Sequence, residues 1–407
     1  MTIPNKSSFV LNLLLFVALA LSSVSTKWAG AAWLLLLVWG LVLGLRSARV
    51  LTPNDIQAAA TAWLIVCALA LLVRAVPVLF WNDPWEERHA EFRLLLGALG
   101  VWGLTRVRDV HTTWAIHGLA IAGGLGLGLT LWGGRDGLPT NAIPWAGSMA
   151  LVCLLLLHST VLLAKTSQQR WSWGLGAGAA LAAVLVSETR GAYGVVLWAG
   201  AWLLWQWRKK LTLKSLALAI LIAVALLVGL RNTALVQTPL NRVLTAVSEM
   251  QGSQTQQEGA QNSSVGARVE LWKLAAQAVP QKPWLGHGHD ERLNMIKKWG
   301  KDHNSETVTS LGHMHNQYLH DLMDHGVLGL ISGLIYLIGL TGLAVWLLKR
   351  KQALAGWTLG GVAFMHASAN LTNVNFAHNY YPTLISIVVG LALLSAFNDN
   401  TSTSDRS

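Results

Sequence analysis

Long, uninterrupted apolar runs constrain this chain more tightly than any other feature. They fall at 8–25, 28–45, 56–80, 92–105, 111–132, 145–164, 171–187, 191–207, 215–230, 326–348, 353–370 and 380–397. A helix that crosses a bilayer uses about 20 mostly apolar residues, so twelve crossings take about 240 and leave about 167 for loops and tails. Of that remainder, 95 residues lie in one stretch, 231–325. A large soluble domain at either end is thereby excluded. The runs are continuous rather than alternating, which argues against a transmembrane β-barrel. Only 12% of the residues are charged and 53% are hydrophobic, whereas soluble proteins carry roughly a quarter charged. The expected fold is an all-α polytopic membrane protein with about 12 transmembrane helices and a mostly helical periplasmic domain.

The formal charge of +11 resembles a nucleic-acid binder's until the 30 Lys and Arg are placed. With the N-terminus in the cytoplasm, 15 of them fall on inner connections or tails, among them Arg46, Arg106, Lys165, Arg208, Lys209, Lys210 and Lys349. Nine more lie in 231–325, a loop too long for the positive-inside rule to count, and six remain outside. The excess thus orients the chain in a membrane, and no nucleic-acid partner is implied. The long stretch is expected to face the periplasm if the cell is Gram-negative, away from nucleotide-activated sugars, so any energy must come with the substrate. The first run passes through Ser22, Ser23 and Ser25 directly into the second, which reads as an uncleaved helix rather than a removed signal. Cys67 and Cys153 sit inside apolar runs and give no disulfide framework.

Four segments follow: 1–230 with spans one to nine, 231–325 as the periplasmic domain, 326–397 with spans ten to twelve, and a polar cytoplasmic tail, 398–407, expected to be disordered. Within 231–325, EMQGSQTQQEGAQNSS (249–264) reads as a flexible loop tip, flanked by helical patterns after Gly266 and before Gly326.

Polar groups that interrupt the apolar pattern mark the candidate site. Arg190, in SETRGAYG, lies between two apolar runs, where a guanidinium costs a few kcal/mol unless an anion pairs with it. Glu188 is the plain structural partner; phosphate is the functional one. Gly191 and Gly194 leave room for a close approach. Arg268 stands in the first turns of a helix that Ser263 or Ser264 caps, where free N–H groups also favour an anion, with Glu270 as the structural alternative. Seven histidines fall in 231–325. GHGHD and HMH suggest a metal, but no HExxH and no carboxylate pair at recognised spacing accompanies them. In LGHMHNQYLHD, by contrast, His313, His315, Asn316 and Tyr318 gather within six residues beside a helix start, where a neutral imidazole is placed to act as general base. Asn370, Asn373, Asn375, His378 and Asn379 form a further polar break that either contacts sugar or closes a turn.

Four of these elements, in order, resemble the O-antigen ligases and the wider O-antigen ligase/polymerase superfamily of bacterial membrane glycosyltransferases: TRG at 189–191, GAR with ELW at 266–272, PWLGHGHD at 283–290 and HMHNQYL at 313–319. The resemblance covers the second half of the chain; the first half agrees only in hydropathy. It implies a GT-C-like fold in the inner (cytoplasmic) membrane. It also implies transfer of a glycan from undecaprenyl pyrophosphate to a hydroxyl of the lipid A core, with no cofactor and no metal. Arg190, Arg268 and His315 take the catalytic positions of the family; His313, Asn316, Tyr318 and Asn379 are the expected substrate-binding residues. Asn379 stands where some relatives carry an acidic residue. An O-antigen polymerase and a protein O-oligosaccharyltransferase would use the same donor and remain open at this stage. A lipid transporter would need polar groups through the midplane, where His158 alone is expected to lie deep. Donor, acceptor and membrane lipids are the expected partners, and the chain is expected to be a monomer.

Overall fold

A computed structural model of the chain describes residues 6–46, 54–84, 89–106, 110–210, 228–254 and 259–400, with 212, 221 and 225 as isolated positions. Every regular element among them is helical. The first eight helices are α1 (Lys6–Ala20), α2 (Thr26–Arg46), α3 (Asn54–Trp81), α4 (His89–Leu104), α5 (Thr112–Gly133), α6 (Ala142–Leu162), α7 (Ser167–Val186) and α8 (Gly194–Trp207). The long segment holds α9 (Ala234–Gln254), α10 (Ser264–Ala278), α11 (His289–Asp302) and the single turn α12 (Glu306–Thr309). The chain returns through α13 (Gln317–Lys349), α14 (Ala353–Asn370) and α15 (Tyr380–Asn400).

Five helices are long and apolar enough to cross a membrane, within α2, α3, α5, α6 and α13, and shorter apolar stretches lie at Ser8–Ala20 and Tyr380–Ala396. This is an all-helical, multi-pass membrane protein. Helix α3 packs along α13, α2 along α4, and α7 along both α5 and α6. Helices α6 and α15 run through the middle, buried almost throughout. The outward face of α3, by contrast, presents Ile65, Leu69, Leu72, Val76 and Leu79, an apolar stripe that only lipid tails would cover without penalty.

Two expectations need adjustment, and a third falls outside the described residues. The 215–230 run lies largely outside the described residues, so the structure does not bear on that crossing. Part of the expected loop tip at 249–264 is ordered helix: α9 continues to Gln254 and a 3-10 turn occupies Ala260–Asn262. The tail begins later than its composition implies, because α15 continues through Asn400; residues 401–407 lie outside the described residues.

The long segment builds a small apolar core of its own from α10 (Ala267, Leu271, Leu274, Ala275), α11 (Ile296), Val308, Met314 and Met323. It is joined to the bundle at a break in α13, where Gly326 leaves helical geometry at φ 62. The segment 283–288 lies against that break as a second backbone. His287 and Gly288 donate N–H groups to the carbonyls of Met323 and Asp324, at 2.7 and 2.9 Å, and Val327 donates back to Pro283 at 2.7 Å. The PWLGHGHD glycines allow this contact: a Cβ on Gly286 (φ 69) would lie 2.5 Å from the Asp324 backbone, and one on Gly326 would lie 2.4 Å from that of Trp284. Trp81, at the end of α3, secures the other side through Nε1 to the Leu285 carbonyl at 2.7 Å.

Candidate active site

Glu188 follows α7 in the left-handed region (φ 61), which turns the chain sharply into the 3-10 helix Arg190–Ala192. The turn brings Arg190 to a cavity of about 270 Å3, whose wall also carries Arg135, Glu188, Arg242, Arg268, Thr372 and Asn373. Gly191 permits the last two to approach, since a Cβ there would stand 2.7 Å from Thr372 Oγ1 and 2.9 Å from Asn373 Nδ2. Arg268 arrives on the second turn of α10, whose N-cap is Ser263, its hydroxyl accepting from the Gly266 N–H at 3.0 Å. Four half-buried guanidiniums thus face one wall carboxylate.

That carboxylate does not pair with Arg190. Arg242 of α9 donates to Glu188 through Nε at 2.7 Å and through its terminal nitrogen, and Arg190 donates to the Arg242 carbonyl at 3.2 Å. Arg268 leaves Glu270 to Lys273 and to the Trp299 indole. Burial, and then the neighbouring charges of Arg190 and Arg135, pull the Arg268 guanidinium below its ordinary pKa, against a partial offset from Glu249. A cavity of this kind is relieved by an anion and would repel a cation.

Met314 is buried in the small core and anchors the turn between two imidazoles. His315 has φ 50, a left-handed conformation that a non-glycine residue adopts at a cost of roughly 1 kcal/mol. The rings of His313 and His315 meet edge to face, with centroids 4.3 Å apart, and neither Nδ1 has a hydrogen-bond partner. Burial, reinforced by the positive charges of His313, Arg268 and His378, pushes His315 down to about 3. His313 falls to about 4, through burial and then His378, Arg292 and Arg268. Both rings are therefore neutral near pH 7, with a ring nitrogen able to accept a proton. Arg268 links this pair electrostatically to the arginine cavity, although His315 lines neither that cavity nor the next.

His313 also lines a second cavity, about 290 Å3, together with His89, Glu91, Arg292, His320, Asp321 and Asp324. Behind it, Arg74 of α3 is buried and pairs with Asp321 at 2.8 Å and Glu91 at 3.6 Å. His325 joins Arg74 at 3.2 Å to Asp83 at 2.9 Å. An arginine within a long apolar run is a signal the sequence offers for such a network. One short loop serves both cavities, with Thr372 and Asn373 on the first and Val374, Phe376 and Ala377 on the second.

The remaining expected residues are placed as follows. Asn316 caps α13, accepting from the Leu319 N–H and donating to the Leu371 carbonyl, both at 3.1 Å. The Tyr318 hydroxyl donates to the Ala367 carbonyl at 3.1 Å. Asn316 thus holds the start of the shared loop, and Tyr318 holds α14, against α13, and neither of these bonds reaches the imidazoles. Asn379 accepts from Arg93 at 3.2 Å and lines neither cavity. His287 bonds Glu291 and the Ala278 carbonyl, and His158 bonds Thr358 and Trp198, as structural histidines do. Among the described residues, no group of three or more His, Cys, Asp or Glu side chains is arranged to hold a metal. Arg135 and Arg242 are the cavity residues that sequence reasoning passed over.

Fold and cavities together show a multi-pass helical membrane protein in which an arginine-rich cavity is coupled electrostatically, through Arg268, to a pair of neutral histidines. Residues 175–334, a stretch holding all four sequence motifs, match the family model described as O-antigen ligase. Over these residues the chain is similar to the O-antigen ligase family. It is also similar to an uncharacterized protein of Haemophilus influenzae, 32% identical over 78 residues, which make up 19% of this chain and 20% of that relative.

Proposed function

We propose that the protein is an O-antigen ligase of the inner membrane: it moves the glycan of an undecaprenyl pyrophosphate donor onto a hydroxyl of the lipid A core, at the periplasmic face. The observation that carries this is the meeting of Arg190 and Arg268, from separate elements, on one cavity beside the His313–His315 pair. In this proposal twelve helices cross the membrane, residues 231–325 are periplasmic, and the chain works as a monomer.

A sugar on pyrophosphate already carries its leaving group. Arg190 and Arg268 hold the diphosphate and offset the charge that grows on it as the anomeric C–O bond breaks. Neutral His315 takes the acceptor hydroxyl's proton while the oxygen attacks the anomeric carbon from the opposite face, inverting it. The bond's electron pair leaves with the diphosphate, so no metal ion is needed to stabilise it. Arg135 raises the local potential, and Asn316 holds the loop that completes the cavity.

Purified protein in detergent, given undecaprenyl-pyrophosphate-linked glycan and rough lipopolysaccharide in the presence of EDTA, is expected to yield glycan-bearing lipopolysaccharide. Strict dependence on an added divalent ion would refute the metal-free mechanism. Lengthening of the lipid-linked glycan, with none on lipid A core, would replace ligase by polymerase.

A further inference from the structure

Three asparagines stand where α14 ends and the shared loop begins, and the structure uses them differently. Asn370 meets His366 Nε2 at 3.1 Å and accepts from the Asn375 amide at 2.7 Å, so these two close the turn on each other. The Phe376 N–H donates to Gln317 at 3.1 Å, and Gln317 donates onward to Asp321 at 3.1 Å, which ties the far end of the loop to α13. The near end is tied by Asn316, whose amide donates to the Leu371 carbonyl. Asn373, held between these ties, lines the arginine cavity, is 5% exposed and makes no hydrogen bond through its side chain among the described residues. A buried amide left in this way costs stability unless a ligand or water completes it. Its chemistry also differs from that of its neighbours on the wall. The four guanidiniums only donate, and the Glu188 carboxylate is paired with Arg242, whereas the Asn373 amide both donates and accepts. A diphosphate asks for donors alone; a sugar hydroxyl asks for an acceptor as well.

We propose that Asn373 binds the first sugar of the donor, the one joined to the diphosphate, through a hydroxyl or another polar substituent of that ring. This rests on the transferase reaction proposed above and adds a sugar contact to its diphosphate site. Leu371, two residues before Asn373, is bonded to Asn316, the residue that follows His315. The loop is thus tied to the turn that carries the proposed base, and the anomeric carbon must lie between that base and the guanidiniums. Asn373 is a binding residue and takes no part in the proton transfer. Its loss weakens the hold on a glycan-bearing donor and leaves the hold on the diphosphate to Arg190 and Arg268.

The test uses the full-length protein in detergent and two ligands: radiolabelled undecaprenyl-pyrophosphate-linked glycan, and undecaprenyl pyrophosphate without a sugar, read as its competitor. Asn373→Leu keeps the side chain's approximate size and removes both hydrogen-bonding groups. It is expected to weaken binding of the glycan-bearing donor about five- to tenfold, the scale of one hydrogen bond, and to leave the inhibition constant of the sugar-free lipid within about twofold. Its thermal midpoint should not fall, because an unpaired amide gives way to an apolar group of similar size. Asn373→Ala provides the same comparison should the leucine fit poorly. Arg268→Gln, by contrast, should weaken both ligands. Equal weakening of the two ligands by the Asn373 variants, or no change in either, would overturn the proposal, and so would a thermal midpoint lowered by both variants, which would make the amide a structural support. A wild-type protein that binds neither ligand would end the transferase reading, and this inference with it; one that binds both, without the selective loss in the variants, ends this inference alone.

Discussion

Replacing Arg268 by Gln removes one of four guanidiniums from the arginine cavity while keeping most of the side chain's length. A phosphate about 5 Å from a guanidinium, in an effective dielectric of about 20, gains roughly 3 kcal/mol. The loss should therefore lower kcat/KM by about 10² to 10³, the range found when a single donor to a developing anion is removed. Arg242→Gln provides the internal control. Arg242 is ion-paired to Glu188, so the cavity sees little of its charge, and its removal should cost about tenfold or less. A second signature separates electrostatics from mere disruption. Arg268 is one of the charges that hold His315 low, after burial and His313. A histidine with a depressed pKa stays neutral, and able to accept a proton, until pH falls through that depressed value. The acid limb of kcat/KM, which reports the free enzyme, should then lie well below 6.5 in the wild type, near the 3 to 4 of the coupled histidine pair. In Arg268→Gln it should move upward. Steady-state rates at limiting donor across pH, in detergent, provide both quantities. Equal damage from the Arg242 and Arg268 variants, or a wild-type acid limb near 6.5 that does not move, would refute the reasoning.

His315→Gln should abolish transfer yet retain donor binding, measured with radiolabelled lipid-linked glycan; full turnover in that variant would remove the proposed base. Gly286→Ala and Gly326→Ala each drive a Cβ into backbone at positive φ, and each should lower stability by about 1 to 3 kcal/mol, visible as a lower thermal midpoint; an unchanged midpoint would contradict the backbone contact described. Asn316→Ala should cost about 1 kcal/mol by uncapping α13, with a stability loss that outweighs any rate loss; a large fall in kcat with an unshifted midpoint would instead place Asn316 in the chemistry.

The helical, multi-pass character was legible because apolar runs of spanning length have few other solutions. Arg190 and Arg268 stood out because each is a charge in a distinctive local setting, a bilayer edge and a helix start. Arg135 and Arg242 carried no such mark. The first lies in an ordinary loop and the second in the polar turns of α9, and only the fold turns them toward the same space. The Glu188 pairing misled for a related reason: two residues of separation suggest a partnership, but the left-handed turn at Glu188 sends its carboxylate to α9 instead. Arg74 was passed over although it is a cation in an apolar run, and its counter-charges come from α4 and α13, far away in the chain. The PWLGHGHD motif was plain to see, and its histidines drew attention to metal chemistry, whereas its glycines do the structural work at the α13 break.

The joint between the 283–288 segment and the broken helix bears on how this molecule can be dissected. Trp81, Asp83 and Val327 belong to the membrane bundle, while Leu285, His289 and Pro283, which hold on to them, come from the long segment. Each side completes the other's hydrogen bonding. A polypeptide excised at 231 and 325 would forfeit this scaffold, and grafting it onto a foreign set of spans would not supply it. The soluble-looking part of the chain is an outgrowth of the membrane part, inseparable from it in folding as in use.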